Sequence, residues 1–118
     1  MPVPVEIRLS KAERVLHVTF DDGANFALPA EYLRVESPSA EVQGHGPQQK
    51  KIVPGKRDVA ITGVEPVGNY AVRLTFDDLH DTGIFSWDYL HELGRSQDRL
   101  WGAYLAAMAK RGLRREAG

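Results

Sequence analysis

Apolar and polar residues alternate along two stretches near the N-terminus. Glu6-Ile7-Arg8-Leu9 is the first. The clearer one is Arg14-Val15-Leu16-His17-Val18-Thr19-Phe20, where Leu16, Val18 and Phe20 share one face and Val15, His17 and Thr19 the other. Asp21-Asp22-Gly23 is a turn in which Asp bonds its own backbone and Gly accepts a positive φ, and residues 25–28 return as a third strand. A three-stranded meander is predicted. Residues 29–34 suit a short helix with Pro29 in its first turn, ending before Ser37-Pro38. Residues 59–67 are rich in β-formers, with a bulge or bend expected at Gly63 and an edge position at Pro66. Gly68-Asn69 turns the chain, residues 70–76 alternate strongly, and residues 82–86 return. Ser86 or Asp88 can cap a helix over 87–93 closed by Gly94, and Ser96 with Asp98 opens a last helix to Lys110. On it Trp101, Tyr104, Leu105 and Met108 form a stripe at helical spacing, a core face.

The strongest internal signal is a repeat. Leu16-His17-Val18-Thr19-Phe20-Asp21-Asp22 resembles Val72-Arg73-Leu74-Thr75-Phe76-Asp77-Asp78, and each copy is followed by a Tyr-Leu pair, Tyr32-Leu33 and Tyr89-Leu90. Two copies argue for a pseudo-symmetric domain rather than a solenoid, which needs three or more units. The predicted fold class is α+β: two antiparallel hairpin or meander units related by this pseudo-repeat, with short helices and a C-terminal helix packed on a sheet. Between Asp78 and Ile84 the second copy carries Leu79-His80-Asp81-Thr82-Gly83 where the first has Gly23-Ala24-Asn25, which places His80-Asp81-Thr82 at a hairpin tip. Residues 37–57 join the copies with many turn formers and little periodicity, a connection long enough to point to function.

At 118 residues the chain reads as one domain over 1–118 with one core, and residues 110–118 as a basic, flexible tail. Lys and Arg number 15 against 16 Asp and Glu, so no global field draws in nucleic acid or an anionic membrane. There is no cysteine, which removes disulfides, thiolate nucleophiles and every zinc site that needs sulfur. No secretory signal and no spanning apolar run are evident, and a cytoplasmic location is expected.

Four histidines are available. His17 reads as an ordinary sheet residue and His91 as a helix residue. His45, between two glycines in the long connection, and His80, beside Asp78 and Asp81, are the candidates for a site, because flanking carboxylates make an imidazole a better base or ligand. Contiguous metal motifs, a phosphate-binding glycine loop and a nucleophile elbow are all missing, and Ser37 and Ser39 have no base tied to them by motif. Enzymatic activity is not expected. The basic clusters Lys50, Lys51, Lys56, Arg57 and Lys110, Arg111, Arg114, Arg115 lack interleaved aromatics, and the second complements a helix dipole, so nucleic-acid binding is the weakest reading.

Residues 33–47 and 76–90 together resemble the gamma-butyrobetaine hydroxylase-like N-terminal domain family, and the likeness extends from Ile7 to about Ala107. In the hydroxylases this domain precedes an iron(II)/2-oxoglutarate oxygenase domain and holds a structural zinc through three Cys and one His. Elsewhere it is fused to P-loop ATPases that carry iron–sulfur clusters, and stand-alone bacterial members are mostly of unknown function. The resemblance places the zinc histidine at His80 and the cysteines at Ser37, Ser39 and Val42. It therefore implies a lost metal site, no cofactor, and a small binding or adaptor module whose partner is a protein, by fusion analogy an iron–sulfur carrier ATPase or assembly protein. The expected working surface is the 37–47 loop meeting the 78–81 tip and the start of the helix at 87, with Ser37, Ser39, Glu41, His45, Asp78, His80, Asp81, Trp87 and Asp88 as contact residues. The rival is a metal-dependent protein or enzyme using His45 and His80 with Asp78 or Asp81. No membrane partner is expected, and the oligomeric state is open.

Overall fold

The structure, a computed structural model, describes residues 2–44, 50–81 and 83–116. It contains two three-stranded antiparallel sheets, each followed by a helix. β1 (Pro4–Ser10), β2 (Val15–Phe20) and β3 (Asn25–Pro29) form the first, in that order. α1 (Ala30–Val35) and a single helical turn, α2 (Ala40–Gln43), lead to β4 (Ile61–Val67), β5 (Ala71–Phe76) and β6 (Gly83–Ser86), the second sheet, again in chain order. α3 (Trp87–Arg95) and α4 (Gln97–Lys110) complete the α+β chain.

The predicted alternation settles which face each strand buries. Leu16, Val18 and Phe20 of β2 meet Leu74, Phe76 and Phe85 of the second sheet in one core that also takes Tyr32, Leu33, Leu90 and Leu93 from the helices. A smaller cluster of Val35, Tyr104 and Met108 lies under α4. Leu105, assigned to the core stripe, is instead exposed. Among the described residues no helix is long and apolar enough to cross a membrane.

Local differences from the sequence reading have physical causes. Pro29 ends β3 and stands at the N-cap of α1 with φ −62° and ψ 145°, one position before the helix it was expected to enter. Ser86 caps α3 by accepting from the Tyr89 N–H. Gly94 does not close that helix, which runs on to Arg95. A Cβ at Gly94 would collide with the ring of Phe26, so this glycine serves close packing of α3 on β3. Ser96 precedes α4 without a capping bond, its hydroxyl donating to Glu92 instead.

The repeat is carried through to individual bonds. β1 and β4 are of equal length, about 57 positions apart, and both slip register at their second residue, Val5 and Thr62, each paired with the next strand. The two hairpin turns superpose bond for bond: Phe20 N–H donates to Ala24 O at 2.8 Å and Phe76 N–H to His80 O at 2.9 Å, while Gly23 and Leu79 both donate back to the Phe carbonyl. The Asp22 carboxylate accepts from the Ala24 N–H as that of Asp78 does from the His80 N–H. Both sheets then exchange a helix contact. Arg34 on α1 reaches Asp78 in the second turn, and His91 on α3 reaches Asp22 in the first.

The basic segment after α4 folds back on the body. Gly55 and Arg57 donate backbone bonds to the carbonyls of Arg114 and Arg115, both at 2.9 Å. Arg115 grips the buried Glu31 through two bonds of 2.9 and 2.7 Å and lies 5.3 Å over the Trp101 ring. The expected flexible tail is thus tied down as far as Glu116, which pairs with Arg57.

Candidate functional site

The turn of the second hairpin builds the site. Leu79 adopts φ +70° and points its side chain into solvent, 90% exposed, which rolls the following residue, His80, into the interior. Opposite it, the chain leaving α1 brings Ser37 and Ser39 inward. Ser37 Oγ lies 2.9 Å and Ser39 Oγ 3.3 Å from the same ring nitrogen, His80 Nε2. The three residues are 0%, 7% and 4% exposed. Gln43 on α2 donates to the Ser37 carbonyl at 2.9 Å, and Gly83 leaves room for the Ser37 hydroxyl, which a Cβ there would approach to 2.8 Å. Buried polar groups are retained when they find partners, and here both hydroxyls converge on that one ring nitrogen.

Asp78 anchors the other side of the turn. Its Oδ2 takes Lys56 Nζ at 2.6 Å and Arg34 Nε at 2.9 Å, and its Oδ1 takes the His80 N–H at 3.2 Å. Burial disfavours the charge on this carboxyl, but the Lys56 and Arg34 bonds outweigh it and hold the group at about 2. At the end of α1 the buried carboxylate of Glu36 pairs with Lys50. The Glu36 carbonyl accepts the hydroxyl of Tyr89, a phenol that burial pushes well above its usual range.

The structure therefore unites only part of the expected surface. Ser37, Ser39 and His80 come together, but inside, because their hydroxyls and imidazole satisfy each other rather than water; they form an internal clamp and not a contact surface. Asp78 adjoins them. Asp81 and Asp88 are exposed, Asp88 in the first turn of α3, where a negative charge complements the helix dipole. Trp87 lies apart, donating to the Asn69 carbonyl at 2.8 Å and lining a groove with Ile7 and Leu9. Tyr89, not Trp87, joins this helix start to the 36–39 bend. Glu41 is on α2, its side chain outside the description, and His45 lies outside the described residues, as does Thr82. Sequence reasoning missed Arg34, Glu36, Lys50 and Lys56, although the repeat offset that relates Arg34 to His91 and Asp78 to Asp22 carried the Arg34–Asp78 pair.

This donor set can be tested against zinc. Tetrahedral structural zinc takes thiolates and imidazoles, whereas positions 37, 39, 42 and 80 supply two hydroxyls, a buried valine and one imidazole. They do not fit the ion. The Ser37–His80 pair has the separation of a nucleophile and its base, but the Asp78 carboxylate holds the His80 backbone and not its ring, and neither partner reaches solvent.

Comparison with known proteins is consistent with a small domain of this kind. Two structures determined by NMR in solution align closely: one is 48% identical with a TM-score of 0.87, covering 100% of this chain and 93% of its own. The other is 45% identical with a TM-score of 0.85, covering 99% and 87%. A crystal structure of a DUF971-family protein of unknown function from Acidithiobacillus ferrooxidans is 45% identical, with a TM-score of 0.66 over 77% of this chain and 91% of that one. No curated protein matches the sequence. The model of the family described as gamma-butyrobetaine hydroxylase-like, N-terminal, spans residues 7–91, both sheets and the α1 and α3 contacts that cross between them, and the chain belongs to that family.

Proposed function

We propose that this domain is a non-catalytic binding or adaptor module. One observation carries the reading: the nucleophile–base pair of Ser37 and His80 is closed inside the fold, so no substrate carbonyl or phosphorus can reach it. A protein with its reactive pair sealed works through the surface it presents. The metal-dependent rival is disfavoured by the same geometry, since both oxygens of Asp78 are taken by Lys56, Arg34 and the His80 amide, and His80 Nε2 faces two hydroxyls. Nucleic-acid binding is disfavoured because Lys50, Lys56, Arg57 and Arg115 of the basic clusters are each paired with a carboxylate.

The partner class we propose is an iron–sulfur carrier or assembly protein of the same compartment, the cytoplasm. Its support is the fusion of such domains to P-loop ATPases bearing iron–sulfur clusters, an analogy of domain organisation. The test is chemical cross-linking in the native host followed by capture of the tagged chain, with metal content measured on the purified protein. Capture of a protein that carries or assembles such clusters is the expected result. Stoichiometric metal that disappears in His80→Ala would overturn the reading in favour of a metal protein.

A further inference from the structure

β1 and β4, the strands that the repeat makes equivalent, are both sheet edges with a neighbour on one side only. Between them runs an open groove of about 560 Å³, within the range of sites that hold small ligands or peptide side chains. Its walls are repeat-related: Ile7 and Leu9 on β1 correspond to Val64 and Pro66 on β4, and Val72 and Trp87 complete the lining. Ile7, Leu9, Val64 and Trp87 are only partly covered while Val72 at the base is buried, so the core is open along this seam.

The symmetry breaks in charge. Lys11 lines the groove and an adjoining hollow of about 160 Å³ that also contains Arg14. Both cations are exposed, and neither has a carboxylate within ion-pair distance among the described residues. The turn Lys11-Ala12-Glu13-Arg14 also holds Glu13, whose carboxylate lies 3.6 Å from His17 Nε2, so two cations outnumber one carboxylate there, while the equivalent turn of the second copy, Gly68-Asn69-Tyr70, is uncharged. The cationic end is therefore not a by-product of the repeat.

We infer that this groove receives an extended segment of a partner protein, apolar at alternate positions and bearing carboxylates at the end that meets Lys11 and Arg14. The inference rests on the binding-module reading and gives it a location. Charge complementarity selects an anionic end, and the open strand edge selects an extended backbone, because unpaired N–H and C=O groups along an edge template another strand. Of the two edges β1 is the receptive one. Both edges carry a bulge at the second residue, Val5 and Thr62, but β4 also has Pro66 near its end, which removes a donor from the stretch lining the groove, whereas β1 from Glu6 to Ser10 contains no proline. That run matches a segment of roughly 17 Å.

The test is an amide chemical-shift titration of the whole chain with a synthetic peptide of alternating threonine and valine that ends in two aspartates. Shifts confined to residues 6–11 and 62–64 are expected. Affinity should fall about fivefold or more when the aspartates become lysines, and equally in Lys11→Glu/Arg14→Glu, two surface changes that leave the core untouched. Absence of shifts at millimolar peptide, shifts elsewhere, or equal binding of the lysine peptide would overturn the inference, as would groove shifts that track protein concentration alone, the mark of a second copy. If native-host capture succeeds and survives the double charge reversal, the groove assignment falls while the module reading stands; if capture fails with the unmodified chain, the module reading falls.

Discussion

Tyr32 and Tyr89 are reciprocal: Tyr32 donates its hydroxyl to the carbonyl of Leu93 at 2.7 Å, and Tyr89 donates to the carbonyl of Glu36. Each tyrosine follows the hairpin of one repeat and ties it to the chain of the other. Together with Arg34–Asp78 and His91–Asp22, the pair makes two sheets into one cooperative body. Tyr32→Phe and Tyr89→Phe each leave a carbonyl without its donor, at a cost of about 1–2 kcal/mol. Urea unfolding should show a larger loss for Tyr32, the more buried of the two, and a single transition in both variants.

Leu79 occupies the turn position that Gly23 holds in the first hairpin, with φ +70° against +90°. A leucine there carries left-handed strain and an exposed apolar side chain. Leu79→Asn should therefore raise stability by about 0.5–1 kcal/mol, read from the urea midpoint, whereas Gly23→Ala should lower it by a similar amount. A loss in Leu79→Asn would mean that Leu79 makes a contact this geometry does not contain.

Gly94 gives a prediction whose sign separates two roles. A free helical glycine gains about 1 kcal/mol on replacement by alanine. With the Phe26 ring where a Cβ would go, Gly94→Ala should instead cost about 1–3 kcal/mol in chemical denaturation.

Asp78 sets an acid limit. Its folded value of about 2 lies below the unfolded value near 3.9, so its contribution is fully present above pH 4 and is lost as pH falls from about 4 to 2. The size is roughly 1–2 kcal/mol. In Asp78→Asn the stability curve should be flatter over that window and lower at neutral pH, where Arg34 and Lys56 lose their shared partner.

The internal clamp should be indifferent to metal. Chelator should leave the melting temperature unchanged, and His80→Ala should destabilise by about 2–4 kcal/mol, through the cavity and the orphaned serine hydroxyls. The combined Ser37→Cys, Ser39→Cys and Val42→Cys variant supplies three thiolates beside His80, and should bind one zinc, as checked by the visible spectrum of its cobalt form. Failure of that variant to bind metal would show that position 42 does not face the ring.

Much of this was legible along the chain. Alternation in residues 15–20 assigned Leu16, Val18 and Phe20 to the inner face, and the bulge near Gly63 and edge placement of Pro66 followed from what those residues do to a ladder. The candidate site was half legible. The family resemblance paired His80 with Ser37 and Ser39, while the buried Glu36, the Lys56 partner of Asp78 and the fold-back of Arg115 left no periodic trace, because each joins residues at separations that no local pattern encodes.

The order of residues alone determined two like units, their turns and the face each strand buries, since pleat, helix pitch and positive φ act over a few neighbours. Only the tertiary structure decided that His80 turns inward while its counterpart Ala24 needs no partner, and that Trp87 looks onto a groove instead of the serine bend. Those outcomes depend on what the second sheet and the connecting segment bring within a few ångströms, and burial of a polar group is settled by partners that lie tens of residues away.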